Sequence, residues 1–122
     1  MENLKKEKIY AVVGASNNPE KYGYKVMKYL LNKGQEVIPV NPKEKEILGQ
    51  KVYAKISEIS KSVDMVIFVV PPLVTEKVLT EVASLGIKRV WMQPGSESEK
   101  AINFCQENGL ECTHHACIMM KK

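Results

Sequence analysis

The sequence lacks any apolar run long enough to cross a membrane. Its longest such run, Met65 to Val70, is far shorter than the roughly 20 residues that a spanning helix needs. Residues 1–8 are rich in charge and lack the apolar region of a secretory signal peptide. Low-complexity tracts are absent too, and 44% hydrophobic with 26% charged residues is typical of a globular protein. We therefore expect a cytoplasmic protein without a membrane partner, built as a single domain over residues 1–122.

Cysteine and clustered positive charge are also scarce. The three cysteines are an odd number, which argues against a disulfide framework in a cytoplasmic chain. The net charge is only +4, and the lysines are scattered along the chain rather than gathered into a stripe. A duplex-binding protein needs a clustered basic face, so we expect no nucleic-acid partner and favour a small anionic ligand.

Two histidines and two cysteines lie near the end of the chain, at Cys112, His114, His115 and Cys117. Adjacent side chains of an extended segment point to opposite sides, and C-x₄-C is not a standard zinc spacing. We therefore expect no metal site. Either histidine could act as a general base, but the sequence identifies no carboxylate to orient it, so we assign no catalytic residue.

Short β-branched runs alternate with helical segments along the chain. We predict strands at 9–13, 37–40, 65–70, 89–92 and 110–113, with a short edge strand at 48–53. We predict helices at 22–32, 57–61, 74–85 and 96–108, the last opened by a capping box of Ser96 and Glu99. This alternation predicts an α/β, Rossmann-like, doubly wound fold: a mainly parallel sheet of five to six strands with helices on both faces.

One proline predicts where a ligand would bind in this sheet. Pro39 cannot donate a ladder hydrogen bond, so the second strand should lie at or near the sheet edge. The first strand and the 65–70 strand would then flank the point where the strand order reverses. Doubly wound folds bind ligands there, beyond the carboxyl ends of the strands, and the loops at 14–16 and 70–72 would meet at that point.

The loop after the first strand has the composition of an anion site. Gly14-Ala15-Ser16 leads from a strand into a helix, and such a turn exposes backbone N–H groups at the helix N-terminus. The dinucleotide pattern G-x-G-x-x-G is absent because position 16 is serine, and Walker A spacing is absent as well. No acidic residue follows the second strand to bind a ribose; Lys43 suits a ribose-linked phosphate, as in NADP or coenzyme A.

Four motifs in this order carry a family resemblance. They are Gly14-Ala15-Ser16 with Pro19, Lys21 and Gly23, then Val40-Asn41-Pro42-Lys43, Val70-Pro71-Pro72 and Gln93-Pro94-Gly95. Over residues 9–119 the sequence resembles the CoA-binding domain family. These are the stand-alone relatives of the N-terminal domain of succinyl-CoA synthetase alpha subunits and of ADP-forming acyl-CoA synthetases.

The resemblance implies a crevice that binds coenzyme A or an acyl-CoA. In it the first loop would contact the phosphates, Lys43 would pair with a phosphate, and Val70-Pro71-Pro72 would pack against the adenine or pantetheine portion. The residues that the resemblance assigns to the ligand are Gly14, Ala15, Ser16, Lys21, Tyr22, Asn41, Pro42, Lys43, Val70, Pro71, Pro72, Pro94 and Gly95.

The same resemblance argues against catalysis by this chain alone. The synthetases phosphorylate a histidine in a second domain and use a nucleotide-grasp partner, neither of which we expect within 122 residues. We therefore expect binding without catalysis. Two alternatives stay open: an NADP-dependent enzyme that uses the same crevice, and a regulatory protein whose ligand switches a partner surface. The acyl group, and whether the chain forms a homo-oligomer or binds another protein, also stay open.

Overall fold

The computed structural model describes residues 8–120 and confirms the alternation of strands and helices. The elements are β1 (Ile9–Val13), α1 (Tyr22–Asn32), β2 (Glu36–Val40), β3 (Glu46–Ile47), β4 (Gln50–Lys51), a 3₁₀ turn (Ile56–Glu58), β5 (Met65–Phe68), α2 (Pro72–Ser84), β6 (Arg89–Met92), α3 (Glu99–Glu107), β7 (Glu111–Thr113) and a second 3₁₀ turn (Ile118–Met120). In this part of the chain no helix is both long enough and apolar enough to span a bilayer.

Five strands form one sheet in the order β2-β1-β5-β6-β7, and every neighbouring pair is parallel. The strand order reverses between β1 and β5, which makes the sheet doubly wound and confirms the predicted α/β, Rossmann-like class. β2 is an edge strand, as Pro39 predicted, and Pro39 lies opposite Val12 in the register of that pair.

The two faces of the sheet are covered by different elements. On one face α1 packs through Val26, Met27 and Leu30, and the C-terminal segment adds Ile118. On the other face α2 and α3 pack through Leu79, Val82, Ala101 and Cys105. Strand-to-strand crossovers are right-handed, so connections that run in opposite directions across the sheet place their helices on opposite faces.

The predicted edge strand at 48–53 is wrong. β3 and β4 form a separate antiparallel hairpin whose turn, Leu48-Gly49, interrupts the predicted strand. Only Tyr53 reaches the main sheet, through a bridge to Val40. The predicted helix at 57–61 is shorter than expected, a 3₁₀ turn over Ile56–Glu58.

The predicted capping box of α3 is also wrong. The N-cap is Ser98, whose Oγ accepts a hydrogen bond from the backbone N–H of Ala101 at 3.0 Å. Ser96 is buried, and its Oγ instead accepts from the backbone N–H of Val70 at 3.0 Å. β5 ends at Phe68 rather than at residue 70, and the backbone N–H of Val70 makes this bond to Ser96.

Candidate functional site

Two cavities open at the carboxyl edge of the sheet, and Val70 lines both. The first, which we call the lysine cleft, has a volume of about 660 Å³ and carries Lys43, Lys55 and Lys77 in its walls. The second, which we call the uncharged cavity, has a volume of about 430 Å³, and none of its nine lining residues bears a charged side chain. Both volumes are in the range of small-molecule sites.

Gly14 lies against Val69 and Val70, the segment between the two cavities that we call the junction. Its φ of +97° is in the left-handed region that favours glycine. A Cβ at this position would overlap the carbonyl oxygen of Val69 and lie 2.6 Å from Cγ1 of Val70. The glycine therefore lets the loop after β1 pass directly against the segment that separates the cavities.

Gly23 brings α1 onto the same loop. A Cβ on Gly23 would overlap the carbonyl oxygen of Gly14, so only glycine permits this close approach of helix and loop. The N-cap residue of α1, Lys21, makes no side-chain capping hydrogen bond. The first turn of α1, whose N–H groups favour anions, thus lies beside the Gly14 loop.

Ala15 and Ser16 contribute to the loop in different ways. The Ala15 side chain is fully buried in the core, so only its backbone is available to a ligand. The Ser16 Oγ accepts a hydrogen bond from the backbone N–H of Asn18 at 3.0 Å and so holds the following turn. These contacts give both side chains a structural role in shaping the loop.

Asn41 joins the two motif loops. Its Nδ2 donates to the carbonyl oxygen of Ala15 at 2.8 Å, and its Oδ1 accepts from the backbone N–H of Lys43 at 2.7 Å. Its own backbone N–H donates to the carbonyl oxygen of Tyr53 at 2.9 Å. The side chain therefore positions the Gly14 loop and the Lys43 turn relative to one another.

Two lysines that line the lysine cleft, Lys55 and Lys77, were not predicted from the sequence. Lys55 follows the β3–β4 hairpin, and Lys77 lies on α2, one turn before Glu81, which lines the same cleft. No motif marks either lysine, because each reaches the cleft only through the packing of its element against the sheet. Together with Lys43 they give the cleft an excess of positive charge.

The residues predicted to bind the ligand fall into three groups. The lysine cleft is lined by Gly14, Asn41, Pro42, Lys43 and Val70. The uncharged cavity is lined by Tyr22, Val70, Pro71, Pro94 and Gly95. Neither cavity is lined by Ala15, Ser16, Lys21 or Pro72. Pro72 instead occupies the first position of α2, where its fixed φ favours the helix.

Gln93 is a buried residue that lines the uncharged cavity. It belongs to the motif Gln93-Pro94-Gly95, but it is not one of the residues predicted to bind the ligand. Its side chain is 2% exposed, its Oε1 accepts from the backbone N–H of Ile118 at 2.7 Å, and its Nε2 donates to Sγ of Cys117 at 3.2 Å. These bonds hold the C-terminal segment in place as one wall of the cavity. Cys117 was likewise missed, because only the chain's return across the sheet brings it there.

Glu97 lies beside the uncharged cavity without lining it. Its Oε1 accepts from the backbone N–H of Gly95 at 2.9 Å, and its Oε2 lies 3.5 Å from Nε2 of His115. Hydrogen bonds from its own backbone N–H and from that of Gly95 outweigh burial and hold the pKa of Glu97 below its usual value.

The two histidines do not follow the extended geometry assumed from the sequence. His115 has a φ of +60°, and the resulting turn brings its ring edge-on to that of His114, with centroids 4.7 Å apart. Within residues 8–120, no three His, Cys, Asp or Glu side chains converge as metal ligands.

Known proteins resemble this chain in sequence and in structure. A conserved hypothetical protein from Pyrococcus furiosus superimposes with a TM-score of 0.90 at 47% identity, covering 96% of this chain and 100% of that one. A hypothetical protein from Pyrococcus horikoshii gives 0.91 at 37% identity, covering 97% and 83%. Acetate–CoA ligase [ADP-forming] II subunit alpha of P. furiosus is 44% identical over 81 residues, which is 66% of this chain.

The ligase match covers 18% of that subunit, so the chain spans less than a fifth of the curated relative's length. A family profile described as "CoA binding domain" matches residues 8–122, nearly the whole chain. This agrees with the order of the four motifs and with the doubly wound sheet. The resemblance is confirmed: the chain belongs to the CoA-binding domain family.

Proposed function

We propose that this protein binds coenzyme A or an acyl-CoA, with the adenosine end in the lysine cleft and the diphosphate at the loop of Gly14 to Ser16. One observation carries the proposal. Gly14 and three lysines from separate segments line one cleft at the point where the strand order reverses, and the first turn of α1 packs against the Gly14 loop.

The charge of the lysine cleft matches the adenosine end of coenzyme A. Lys43, Lys55 and Lys77 line the cleft with a single carboxylate, that of Glu81. Coenzyme A carries a phosphate on its ribose in addition to its diphosphate, and a lysine pairs with phosphate as a point charge. A ribose diol without that phosphate would leave the lysines without an anionic partner.

The loop geometry supports a diphosphate beside Gly14. The absence of side chains on Gly14 and Gly23 lets the backbone of the loop and the start of α1 approach one another closely. Backbone N–H groups at such a junction bind phosphate oxygens, and the helix dipole adds to the attraction. Asn41 keeps this loop in register with the Lys43 turn, so the two parts of the proposed site are coupled.

The proposal is one of binding and not of ligation. The relative named acetate–CoA ligase is matched over less than a fifth of its own length. The family profile described as a CoA binding domain matches residues 8–122, which include the glycine loop and the cleft, so binding is the property that we carry over. Accordingly, we assign no catalytic residue.

Calorimetry on the dialysed protein tests the proposal. Coenzyme A, NADPH, NADH and ATP are titrated at equal concentration, and we expect coenzyme A to bind most tightly. Dephospho-CoA provides the matched comparison, since it lacks only the ribose phosphate. We expect it to bind about tenfold or more weakly, as for the loss of one charged hydrogen bond. Tighter binding of NADPH or NADH than of coenzyme A would overturn the assignment.

A further inference from the structure

The uncharged cavity is positioned to receive the far end of the same ligand. Building on the proposed function, we infer that it holds the acyl end of an acyl-CoA and selects uncharged acyl groups over acyl groups with a terminal carboxylate. The inference names the ligand class, which the family membership leaves open.

The route between the two cavities passes over a single residue. Val70 lines both, and its backbone N–H donates to the buried Ser96 Oγ at 3.0 Å, which fixes its position. A ligand whose adenosine end occupies the lysine cleft has its pantetheine arm free to cross this residue. The arm would then enter the uncharged cavity, whose lining includes Tyr22, Pro71 and Pro94.

The walls of the uncharged cavity hold no cationic side chain that could pair with a carboxylate, and in the proposed function the first turn of α1 is assigned to the diphosphate. Most of the lining is aliphatic or aromatic, and two of its polar side chains already make hydrogen bonds within the protein. The Gln93 amide bonds to Cys117 and to the backbone of Ile118, and the Ser96 hydroxyl accepts from Val70. Placing a charged group in such surroundings without a counter-ion is unfavourable, whereas an alkyl group gains from burial.

Charges just outside the lining act in the same direction. Glu97 accepts a hydrogen bond from Gly95, which lines the cavity, so a negative charge already lies on that side. His115 faces Glu97 rather than the cavity. The Lys25 ammonium lies 5.2 Å from the centroid of the Tyr22 ring, in a cation–π contact, and is not among the residues that line the cavity. A carboxylate in the cavity would therefore meet repulsion from Glu97 that no lining side chain offsets.

Titration of the wild-type protein with butyryl-CoA and succinyl-CoA tests the inference. Both acyl groups have four carbons, and they differ by the terminal carboxylate. We expect butyryl-CoA to bind at least as tightly as coenzyme A, and succinyl-CoA to bind tenfold or more weakly than butyryl-CoA. Equal affinities for the two acyl-CoAs, in a protein that binds coenzyme A, would overturn the inference and leave the proposed function intact. If coenzyme A and both acyl-CoAs fail to bind, the proposed function fails, and this inference with it.

A second test introduces a positive charge into the wall of the uncharged cavity and measures acyl-CoA affinities again. Pro94 is an exposed lining residue, and Pro94→Lys adds a cation without removing buried contacts. We expect this variant to raise the affinity for succinyl-CoA relative to that for butyryl-CoA several-fold over the wild-type ratio. Gln106→Lys, on the exposed side of α3, adds the same charge away from the cavity and should leave that ratio unchanged. An equal gain in both variants would show that net charge, and not the cavity, determines the preference.

Discussion

The lysine cleft and the uncharged cavity share Val70 yet differ in chemistry. The cleft takes its walls from the ends of β1 and β2, from the segment after β4 and from α2, and the last three of these bring one lysine each, Lys43, Lys55 and Lys77. The cavity takes its walls from the segments after β5 and β6, the first turn of α1 and the C-terminal segment, and these bring no charged side chain. The reversal point of one sheet thus provides two adjoining sites of opposite polarity, which suits a ligand with a charged end and an uncharged end.

The difference follows from which face of the sheet each cavity adjoins. The lysine cleft lies on the side of α2, which contributes the exposed Lys77 and the half-buried Glu81. The uncharged cavity lies on the side of α1, where the C-terminal segment with Cys117 and Ile118 returns over the sheet. A helix contributes its solvated face to a cleft, whereas a segment packed over the sheet contributes apolar atoms.

The largest effect is expected at the junction, since Gly14 shapes both cavities. We expect Gly14→Ala to abolish binding of coenzyme A and to lower the free energy of unfolding by about 3 kcal/mol or more, because the Cβ overlaps the Val69 carbonyl. Gly34→Ala is the matched control: its φ is +81°, but a Cβ there has nothing within 4 Å. It should cost only about 1 kcal/mol and leave binding intact. Urea denaturation and calorimetry measure both quantities; similar losses in the two variants would contradict the role of the junction.

The second-largest effect on coenzyme A binding is expected from lysines of the lysine cleft, which are absent from the lining of the uncharged cavity. We expect Lys43→Ala and Lys77→Ala each to weaken coenzyme A binding by roughly tenfold to a hundredfold, the worth of one charge-assisted hydrogen bond, and to weaken dephospho-CoA much less. Lys88→Ala, an exposed lysine between α2 and β6, serves as the control and should change neither affinity. Equal losses for coenzyme A and dephospho-CoA would mean that these lysines do not bind the ribose phosphate.

A smaller effect is expected from the wall of the uncharged cavity. Gln93→Leu leaves the backbone N–H of Ile118 without its acceptor and Cys117 without its donor, so we expect a loss of about 1–3 kcal/mol in unfolding free energy. The preference for butyryl-CoA over succinyl-CoA should shrink, while the preference for coenzyme A over dephospho-CoA should remain. Gln106→Leu, at an exposed position of α3, controls for the substitution itself. Loss of both preferences together would show that the two cavities are not separable.

The smallest effect on binding is expected from a change outside both cavities. Ser98→Ala removes the N-cap of α3 and a hydrogen bond to Oε2 of Glu76, which together should cost about 1 kcal/mol of unfolding free energy. The affinities for coenzyme A, dephospho-CoA and the acyl-CoAs should stay as in the wild type. Ser98→Thr keeps both the capping acceptor and the hydroxyl that donates to Glu76, and should recover part of the stability. A change in any affinity on Ser98→Ala would mean that α3 contributes to one of the cavities.

The fold was largely predictable from local patterns. The strand at 9–13 and the helix at 22–32 have the predicted bounds, and Pro39 correctly placed β2 at the sheet edge. One error, the capping box of α3, arises where two serines could fill one role. Ser96 and Ser98 are both plausible caps by sequence, and only the backbone of Val70, brought close by packing, decides that Ser96 is engaged elsewhere.

The candidate site was predictable where a loop has its own signature and not where packing assembles it. The Gly14 loop, the Lys43 turn and the Pro71 turn follow strands and carry glycine, asparagine or proline, whose backbone preferences are local. Lys77 and Cys117 belong to a helix face and to the C-terminal segment, and neither has a residue pattern that points to the cavities.

Periodicity and turn chemistry act between residues near in the chain, so the sequence alone predicted most of the strands and helices and the glycine loop that follows the first strand. The tertiary structure alone decided that three lysines face one cavity and none the other, and that Gln93 holds the C-terminal segment over the sheet. These outcomes depend on the direction of each crossover and on burial against distant strands. Such interactions join residues that are far apart in sequence, and no local pattern encodes them.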